Sequence, residues 1–276
     1  MSAGPSPLRE GEIAMLIDNK SRRYHLFLKA GRQFHTHQGI IPHGSIIGRE
    51  EGSRLVSAEG AEFMLLRPAT ADFVVRMKRP TNILYPKDLG IITALTGIGA
   101  GSTVVEAGTG SGSGTIALLR AVGEKGRVLS YEIREEFVAN ALSNIRAMFA
   151  GELPAWLTLV NANICDGIDG SGVDACLLDL PEPWRAVEAA VAALRPGGFF
   201  VSYIPTTIQL QQSVMALEAS GRFTAISSVE VMLRGWDVSE RSVRPSHRMV
   251  GHTGFITFAR LCEPPLPVRS AESRKG

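Results

Sequence analysis

The sequence has little of what marks membrane-inserted, secreted or metal-binding proteins. Its three cysteines, Cys165, Cys176 and Cys262, stand apart without Cys-x-x-Cys spacing, which argues against a zinc ribbon, a redox pair and a disulfide framework. No apolar run approaches the roughly 18 to 20 residues that a membrane helix needs. Residues 1–12 lack the apolar core of a signal peptide, so we expect a cytoplasmic protein.

Excess charge is also lacking, since the formal net charge is only +2 over 276 residues. Overall charge therefore does not predict a nucleic-acid partner, and a local basic patch has to supply the signal. One segment qualifies, and its cationic side chains are Arg234, Arg241, Arg244, His247 and Arg248. Gly235-Trp236 and Pro245 interleave with these charges, which favours an RNA-binding element, although a solvated loop is the alternative.

Two patterns of apolar residues divide the chain. Short runs at residues 13–17, 24–28, 45–47 and 63–66 are separated by Gly and Asn and predict a small β-rich module. After residue 80, strand-like runs alternate with longer helical periods, the pattern of a mainly parallel sheet. The predicted strands are 103–107, 127–131, 157–160, 173–178 and 198–203, and the predicted helices are 135–150, 184–194 and 209–219.

The last third of the chain changes again, because two β-like runs, 223–233 and 254–261, have no helix between them. They predict an antiparallel pair at one edge of the sheet. The fold class is therefore a doubly wound α/β sheet with this edge pair and an N-terminal β module. We expect the module to span 1–75, the α/β domain 76–263, and a disordered tail 264–276 that is rich in Pro, Ser and charge.

A glycine-rich segment, Gly108-Thr-Gly-Ser-Gly-Ser-Gly114, follows the strand that ends in Glu106-Ala107. It does not fit the dinucleotide fingerprint G-x-G-x-x-G, because Ser113 or Thr115 stands where the third glycine belongs. It does not fit a phosphate loop either, since no Gly-Lys-Ser/Thr follows. The remaining pattern, G-x-G-x-G, resembles motif I of class I methyltransferases, which implies S-adenosylmethionine as cofactor. The alternative is a tight strand-to-helix connection.

Polar residues also follow the next two predicted strands. Glu132 ends the second strand, where a carboxylate can accept hydrogen bonds from both ribose hydroxyls of an adenosyl group. It could instead be a first-turn acid of the next helix, a role that Glu135 and Glu136 fill better. After the third strand, Asn163 stands where this class usually has an acid that contacts adenine, with Ile164 beside it to pack on the ring; Asp166 is the alternative for that acid.

The fourth predicted strand is followed by Asp179-Leu-Pro-Glu-Pro-Trp184. This sequence puts a carboxylate at the carboxyl end of the strand, where open α/β sheets bind their ligands, beside two prolines that stiffen the turn. Alternatively, the prolines start the next helix and Asp179 caps it.

Two further motifs make the resemblance specific, Phe34-His-Thr-His-Gln-Gly39 and Thr81-Asn-Ile-Leu-Tyr-Pro-Lys-Asp88, and the similarity continues through Gly251-His-Thr-Gly-Phe255. Together with D-x-P-x-P-W they look like the tRNA (adenine-N1)-methyltransferase family over nearly the whole chain. The resemblance implies a homotetramer that methylates adenosine 58 in the T-loop of tRNA. It also implies that Leu84-Tyr85 closes over the methionine end of the cofactor, with Thr81 nearby; a linker is the alternative.

The resemblance further implies residue roles. Asp179 is the expected catalytic carboxylate and also contacts the cofactor, Glu132 binds the ribose, and Asn163 with Ile164 lies near the adenine. The glycine loop supplies the remaining cofactor contacts, from Gly108, Gly110, Ser111, Gly112, Ser113 and Gly114. The chemistry agrees, because N1 of adenine has a lone pair and needs alignment and charge control, not a metal or a covalent nucleophile.

N1 is hidden in folded tRNA, so the target base has to be turned out into a pocket. Trp184 and Tyr203 are candidates to line that pocket, with core packing as the alternative for each. His35, His37 and His43 do not predict a metal site, because no carboxylate or cysteine stands at ligand spacing. Two other functions remain open: a methyltransferase for a small molecule or a protein, and a non-catalytic tRNA-binding subunit, against which the intact loop, Glu132 and Asp179 argue.

Overall fold

A computed structural model describes residues 6–80 and 82–263, so Thr81 and the predicted tail 264–276 lie outside the described residues. The chain forms two compact units. One comprises Met1–Pro86, Gly110–Ile116 and Glu136–Ala155, and the other comprises Lys87–Thr109, Ala117–Glu135 and Trp156–Gly276. None of the described helices is both long enough and apolar enough to span a bilayer.

The first unit contains small antiparallel sheets. Four strands pair in the order β2-β1-β6-β5, and a separate hairpin joins β3 to β4. Their bounds are β1 Ile13–Asp18, β2 Arg23–Phe27, β3 Gln33–Thr36, β4 Gly39–Pro42, β5 Arg54–Val56 and β6 Glu62–Leu66. Alternating side chains of these strands, with Phe63, Leu16 and Leu65 fully buried, contribute to one apolar core.

One predicted strand of this unit is wrong. Residues 45–47 do not form a strand. Ser45 ends a single 3-10 turn, His43–Ser45, and the backbone N–H groups of Ile46 and Ile47 both donate to the His43 carbonyl oxygen. Ile46 is fully buried, so the apolar run reflects packing against the core and not strand periodicity. A short helix that the sequence did not predict, α1, follows at Thr70–Val74.

The second unit is built on a seven-stranded sheet in the order β12-β15-β11-β10-β7-β8-β9. Only β15 runs antiparallel to its neighbours, as the predicted edge pair requires. The bounds are β7 Thr103–Ala107, β8 Arg127–Tyr131, β9 Leu157–Val160, β10 Val173–Leu178, β11 Leu194–Ile204, β12 Phe223–Glu230 and β15 Phe255–Leu261. The predicted doubly wound α/β class with an N-terminal β module is confirmed.

The longer helices connect these strands. They are α2 Pro86–Thr96, α3 Ser113–Val122, α4 Glu135–Met148, α5 Val187–Ala193 and α6 Thr207–Ser220. The helix predicted at 184–194 starts instead as a 3-10 turn, Pro183–Ala186, because Pro183 sets its first position. Residues 195–197, which separate the predicted helix 184–194 from the predicted strand 198–203, lie inside β11, whose pairing with β10 shifts register between Val173 and Ala175.

Helices α5 and α6 pack on one face of the sheet. Their buried Ala190 and Leu217 share a core with Phe200 and Phe223, whose rings meet edge to face at 5.5 Å between centroids. Strands β8 and β9 follow β7 toward one end of the sheet, whereas β10 and β11 lie on the other side of β7. The strand order therefore reverses between β7 and β10. Loops at such a switch point leave a crevice for a ligand, which directs attention to the carboxyl ends of β7 and β10.

Candidate active site

The loops after β7 and β10 approach each other through their backbones. Gly108 has a left-handed φ of +88°, and a Cβ atom there would overlap the carbonyl oxygen of Asp179. The Asp179 N–H donates to the Ala107 carbonyl oxygen at 2.9 Å, and the Gly108 N–H donates to the Tyr131 carbonyl oxygen at 3.0 Å. Three strand ends are therefore fixed to one another, and only glycine fits at position 108.

A polar chain lies beneath the start of this loop. Glu106 is almost fully buried within β7 and accepts a hydrogen bond from Ser130 Oγ of β8 at 2.6 Å. Ser130 Oγ is in turn 2.6 Å from Thr109 Oγ1 in the loop. Buried polar chains of this kind rigidify their surroundings when they are satisfied. Sequence reasoning missed these three residues, although a glutamate in an otherwise apolar strand was a usable signal.

The second half of the glycine loop belongs to the first unit and is held by side chains there. Buried Asn144 of α4 donates from Nδ2 to the carbonyl oxygens of Ser111 and Lys78, at 2.9 and 2.8 Å. Ser113 Oγ donates to the Leu84 carbonyl oxygen at 2.6 Å. Asn144 was also missed, because no local pattern indicates a partner 33 residues away.

Glu132 follows β8 and is 4% exposed, so its carboxylate lies in the interior and not on a helix surface. Its Oε1 accepts a hydrogen bond from the Arg134 N–H at 3.1 Å. The backbone of Glu132 is hydrogen-bonded to the next strand and the residue after it. The Glu132 N–H donates to the Val160 carbonyl oxygen, and Asn161 Nδ2 donates to the Glu132 carbonyl oxygen at 2.7 Å. The carboxylate is thus held at the carboxyl end of the sheet.

Asn163 and Ile164 lie just beyond β9. Asn163 is exposed, and its Oδ1 accepts the Cys165 N–H at 3.0 Å, which caps the 3-10 turn Ile164–Asp166. Ile164 is buried in the same core as α5 and α6. The amide oxygen that was expected to read adenine therefore also has a local structural partner.

Asp179 is half-buried, and its surroundings change its acidity. Burial, together with the smaller effect of the negative charge of Glu132, raises the pKa of this carboxyl to about 7. A carboxyl group with this pKa exchanges a proton near neutral pH, which suits a group that has to accept one during a reaction. Glu132 and Asp179 are the two sequence-predicted acids that the sheet brings together.

The predicted substrate-binding aromatics differ in their surroundings. Trp184 is partly exposed on the 3-10 turn after β10. Tyr203 is buried, and its ring packs so closely on Gly254 that a Cβ there would lie 2.7 Å from Tyr203 Cζ. Core packing thus describes Tyr203, whereas Trp184 presents part of its surface to solvent.

The predicted basic segment forms an exposed hairpin between β12 and β15. Its strands are β13, Trp236–Ser239, and β14, Ser242–Pro245. Arg234, Arg241, Arg244, His247 and Arg248 are all exposed, and Arg244 Nη1 contacts His247 Nε2. This hairpin was not predicted, because its strands are only four residues long and the segment was interpreted from its charge.

Three histidines of the first unit differ in their surroundings. His35 and His37 are exposed, and His43 is buried, with Nδ1 accepting the Lys29 N–H at 3.0 Å. Across residues 6–80 and 82–263, no cluster of three or more His, Cys, Asp or Glu side chains is arranged to hold a metal ion.

The glycine loop after β7, the buried acid after β8 and the carboxylate after β10 define a class I methyltransferase domain on this strand order. The family model described as "tRNA methyltransferase complex GCD14 subunit" matches residues 63–244, and the model "TrmI-like N-terminal" matches residues 6–54. The chain therefore belongs to the tRNA (adenine-N1)-methyltransferase family that includes the TrmI enzymes, and the resemblance drawn from the sequence motifs is confirmed.

Individual relatives agree with this assignment over nearly their whole length. The tRNA (adenine(57)-N(1)/adenine(58)-N(1))-methyltransferase TrmI of Methanocaldococcus jannaschii is 39% identical, with 95% of this chain and 98% of that protein aligned. The tRNA (adenine(58)-N(1))-methyltransferase TrmI of Thermus thermophilus is 37% identical over 94% of this chain and 98% of its own.

Solved structures show the same architecture. A SAM-dependent O-methyltransferase from Thermotoga maritima is 32% identical and superposes with a TM-score of 0.87 over 95% of this chain and 97% of that one. The tRNA (m1A58) methyltransferase TrmI from Aquifex aeolicus is 25% identical and superposes with a TM-score of 0.78 over 93% of this chain and 99% of that one.

The raised pKa of Asp179 generates a prediction for the free protein. Folding moves this pKa from 3.8 to about 7, so the folded state holds an extra proton between those values. The stability that this protonated carboxyl contributes is therefore lost as the pH rises through about 7. From about pH 5 to about pH 8, we expect the melting temperature of the parent to fall relative to that of Asp179→Asn. Parallel melting curves across this range would contradict the assigned pKa, and exposed Asp166→Asn is the control.

Proposed function

We propose that this chain is a cytoplasmic enzyme that transfers the methyl group of S-adenosylmethionine to N1 of adenosine 58 in the T-loop of tRNA. The observation that carries the proposal is the pairing of the Gly108 loop with Asp179 at the switch point, in a chain aligned end to end with enzymes of that name. The relatives differ on adenosine 57, so the position is a matter for experiment.

The residues present fit S-adenosylmethionine. Glycine at position 108 lets the loops after β7 and β10 meet at the carboxyl edge of the sheet, and the loop continues through Gly110, Gly112 and Gly114. Buried Glu132 has the acceptor chemistry for a ribose diol, while Asn163 and Ile164 stand at the corresponding place after β9. When bound, S-adenosylmethionine supplies a methyl group on a sulfonium sulfur, an electrophile that needs no metal.

Asp179 is the proposed catalytic carboxylate. Methylation of N1 by that cofactor would leave the adenine ring with a positive charge. A carboxylate beside the N6 amino group stabilises that charge and can accept a proton from it. The raised pKa of Asp179 matches this role, because the group can hold the proton near neutral pH.

The remaining expected residues bind tRNA in this proposal. Trp184 is partly exposed after β10 and can stack on a base that has been turned out of the T-loop. Arg234, Arg244, His247 and Arg248 supply exposed charge for phosphates. Tyr203, being buried against Gly254, supports the pocket wall from within the core. Assembly as a homotetramer stays a prediction, to be checked by sedimentation.

The test is methylation of unmodified T-loop transcripts by the purified protein with labelled S-adenosylmethionine. We expect 1-methyladenosine at position 58, identified by nucleoside mass and by a reverse-transcription stop, and no product at 58 when that adenosine is replaced by uridine. Asp179→Ala should lose roughly 10²-fold or more in kcat because the charged base loses its partner. Label that enters no tRNA would overturn the tRNA assignment, and near-parental turnover by Asp179→Ala would remove this residue from catalysis.

Glu132 generates a separate prediction about cofactor affinity. Glu132→Gln keeps the size of the side chain but removes its charge, so we expect the Kd of S-adenosylmethionine to rise roughly 10- to 100-fold. Titration calorimetry measures this. The matched control is Glu135→Gln, an exposed acid in the first turn of α4, which should leave the Kd within about twofold of the parent. Equal effects of the two substitutions would contradict a ribose-binding role for Glu132.

A further inference from the structure

The hairpin segment has few ties to the rest of its unit. We call residues 232–251 the arm; they leave the sheet after β12 and return before β15. Among the described residues, the arm's hydrogen bonds are internal: β13 pairs with β14, the Ser246 N–H donates to Gly235 O, and Ser246 Oγ donates to Asp237. Its position therefore depends on its two ends.

The topology places both ends at the edge of the sheet that carries the candidate active site. Strand β12 runs parallel to β7 and β10, so its last residue, Glu230, lies at the edge that holds Gly108 and Asp179. Strand β15 runs the opposite way, so the chain re-enters the sheet at Phe255 on that same edge. Both ends of the arm thus leave the sheet at the edge that carries the candidate site, although the arm is distant from that site in sequence.

A buried polar cluster fastens both ends of the arm to the start of α2. Lys87 Nζ donates to Val231 O at 2.7 Å, to Thr253 Oγ1 at 2.5 Å and to Asp88 Oδ1 at 2.8 Å. Thr253 Oγ1 donates to Asp88 Oδ2 at 2.7 Å. The side chain of Asp88 is fully buried and that of Lys87 is 8% exposed. Buried charges of this kind are tolerated only when every partner is in place.

A second cluster joins the neighbouring residues of the same two ends. His252 Nδ1 is 2.6 Å from Glu230 Oε1, and its Nε2 is 2.8 Å from the Pro205 carbonyl oxygen, which directly follows β11. A carbonyl and a carboxylate only accept hydrogen bonds, so this geometry suits the doubly protonated ring. The hydrogen bond to Glu230 accordingly raises the pKa of His252.

We propose that these two clusters, which together we call the root clamp, are a positioning device that fixes the arm for tRNA. Glu230 and Val231 are held on the outgoing side, and His252 and Thr253 on the returning side. The arm carries four arginines against two acids, so it has a net positive charge. These arginines can contact tRNA phosphates when the arm is held in one orientation. A clamped arm loses less freedom on binding than a loose one, which lowers the Kd for a large partner.

This inference rests on the proposed function, and it predicts where the effect of breaking the clamp falls. The clamp residues contact neither the glycine loop nor Asp179 among the bonds described, so cofactor affinity and the chemical step should be preserved. tRNA affinity should suffer, because the arm then samples many directions. If the clamp were merely structural, breaking it would lower the cofactor affinity, the rate of the chemical step and the tRNA affinity together with the melting temperature.

The test compares Thr253→Val with Thr253→Ser in the full-length protein. Valine matches threonine in shape but has no hydroxyl, so it removes the hydrogen bonds by which residue 253 is held to Lys87 and Asp88, while serine restores them. We expect Thr253→Val to raise the tRNA Kd and KM about tenfold, with kcat at saturating tRNA and the S-adenosylmethionine Kd within about twofold of the parent. Thr253→Ser should return the tRNA Kd to within about twofold.

Partly exposed His252→Gln serves as a second variant, because it loses one of the two ring donors without opening the buried cluster. It should raise the tRNA Kd in the same direction. Parental tRNA affinity in both Thr253→Val and His252→Gln, or a parallel loss of S-adenosylmethionine affinity, would overturn the inference. If the parent itself neither binds nor methylates tRNA, the proposed function fails before any variant is compared.

Discussion

The backbone contact between Gly108 and Asp179 is the constraint on which the candidate site depends. Adjacent parallel strands bring the two residues to one edge, and the reversal of strand order leaves the crevice there. Because the Asp179 carbonyl oxygen occupies the space that a Cβ at position 108 would need, the loop can only form with glycine. The glycine loop and the carboxylate are therefore one construction: moving either would move the other.

The same construction explains the electrostatics of the site. Glu132 and Asp179 follow β8 and β10, the two strands that flank β7, so two acids share one edge of the sheet. Burial and the negative charge of Glu132 raise the pKa of Asp179. A cationic cofactor and a base that becomes cationic both favour such an acidic edge. Glu106, Ser130 and Thr109 keep the loop in place beneath the acids, so the polar interior supports the site without joining the chemistry.

Local sequence patterns predicted most of the fold and the strand-end residues of the site. The alternation of strand-like and helical segments and the motifs around Gly108, Glu132 and Asp179 are local signals. That these three residues lie at one edge of the sheet follows from its parallel topology. Residues that act through distant partners gave no such signal. Asn144 braces a loop far back in the chain, and Lys87 and Thr253 meet across 166 residues. The run at 45–47 was misread because burial and strand pairing both select apolar residues.

Cofactor affinity in Gly108→Ala, compared with Gly101→Ala, tests the central constraint most directly. Both glycines have left-handed φ values, +88° and +89°, so backbone strain is matched, but a Cβ at position 101 meets no atom within 4 Å. The account predicts that Gly108→Ala raises the S-adenosylmethionine Kd at least tenfold, whereas Gly101→Ala stays within about threefold of the parent. Equal affinities in the two variants would contradict the claim that the approach of Gly108 to Asp179 builds the site.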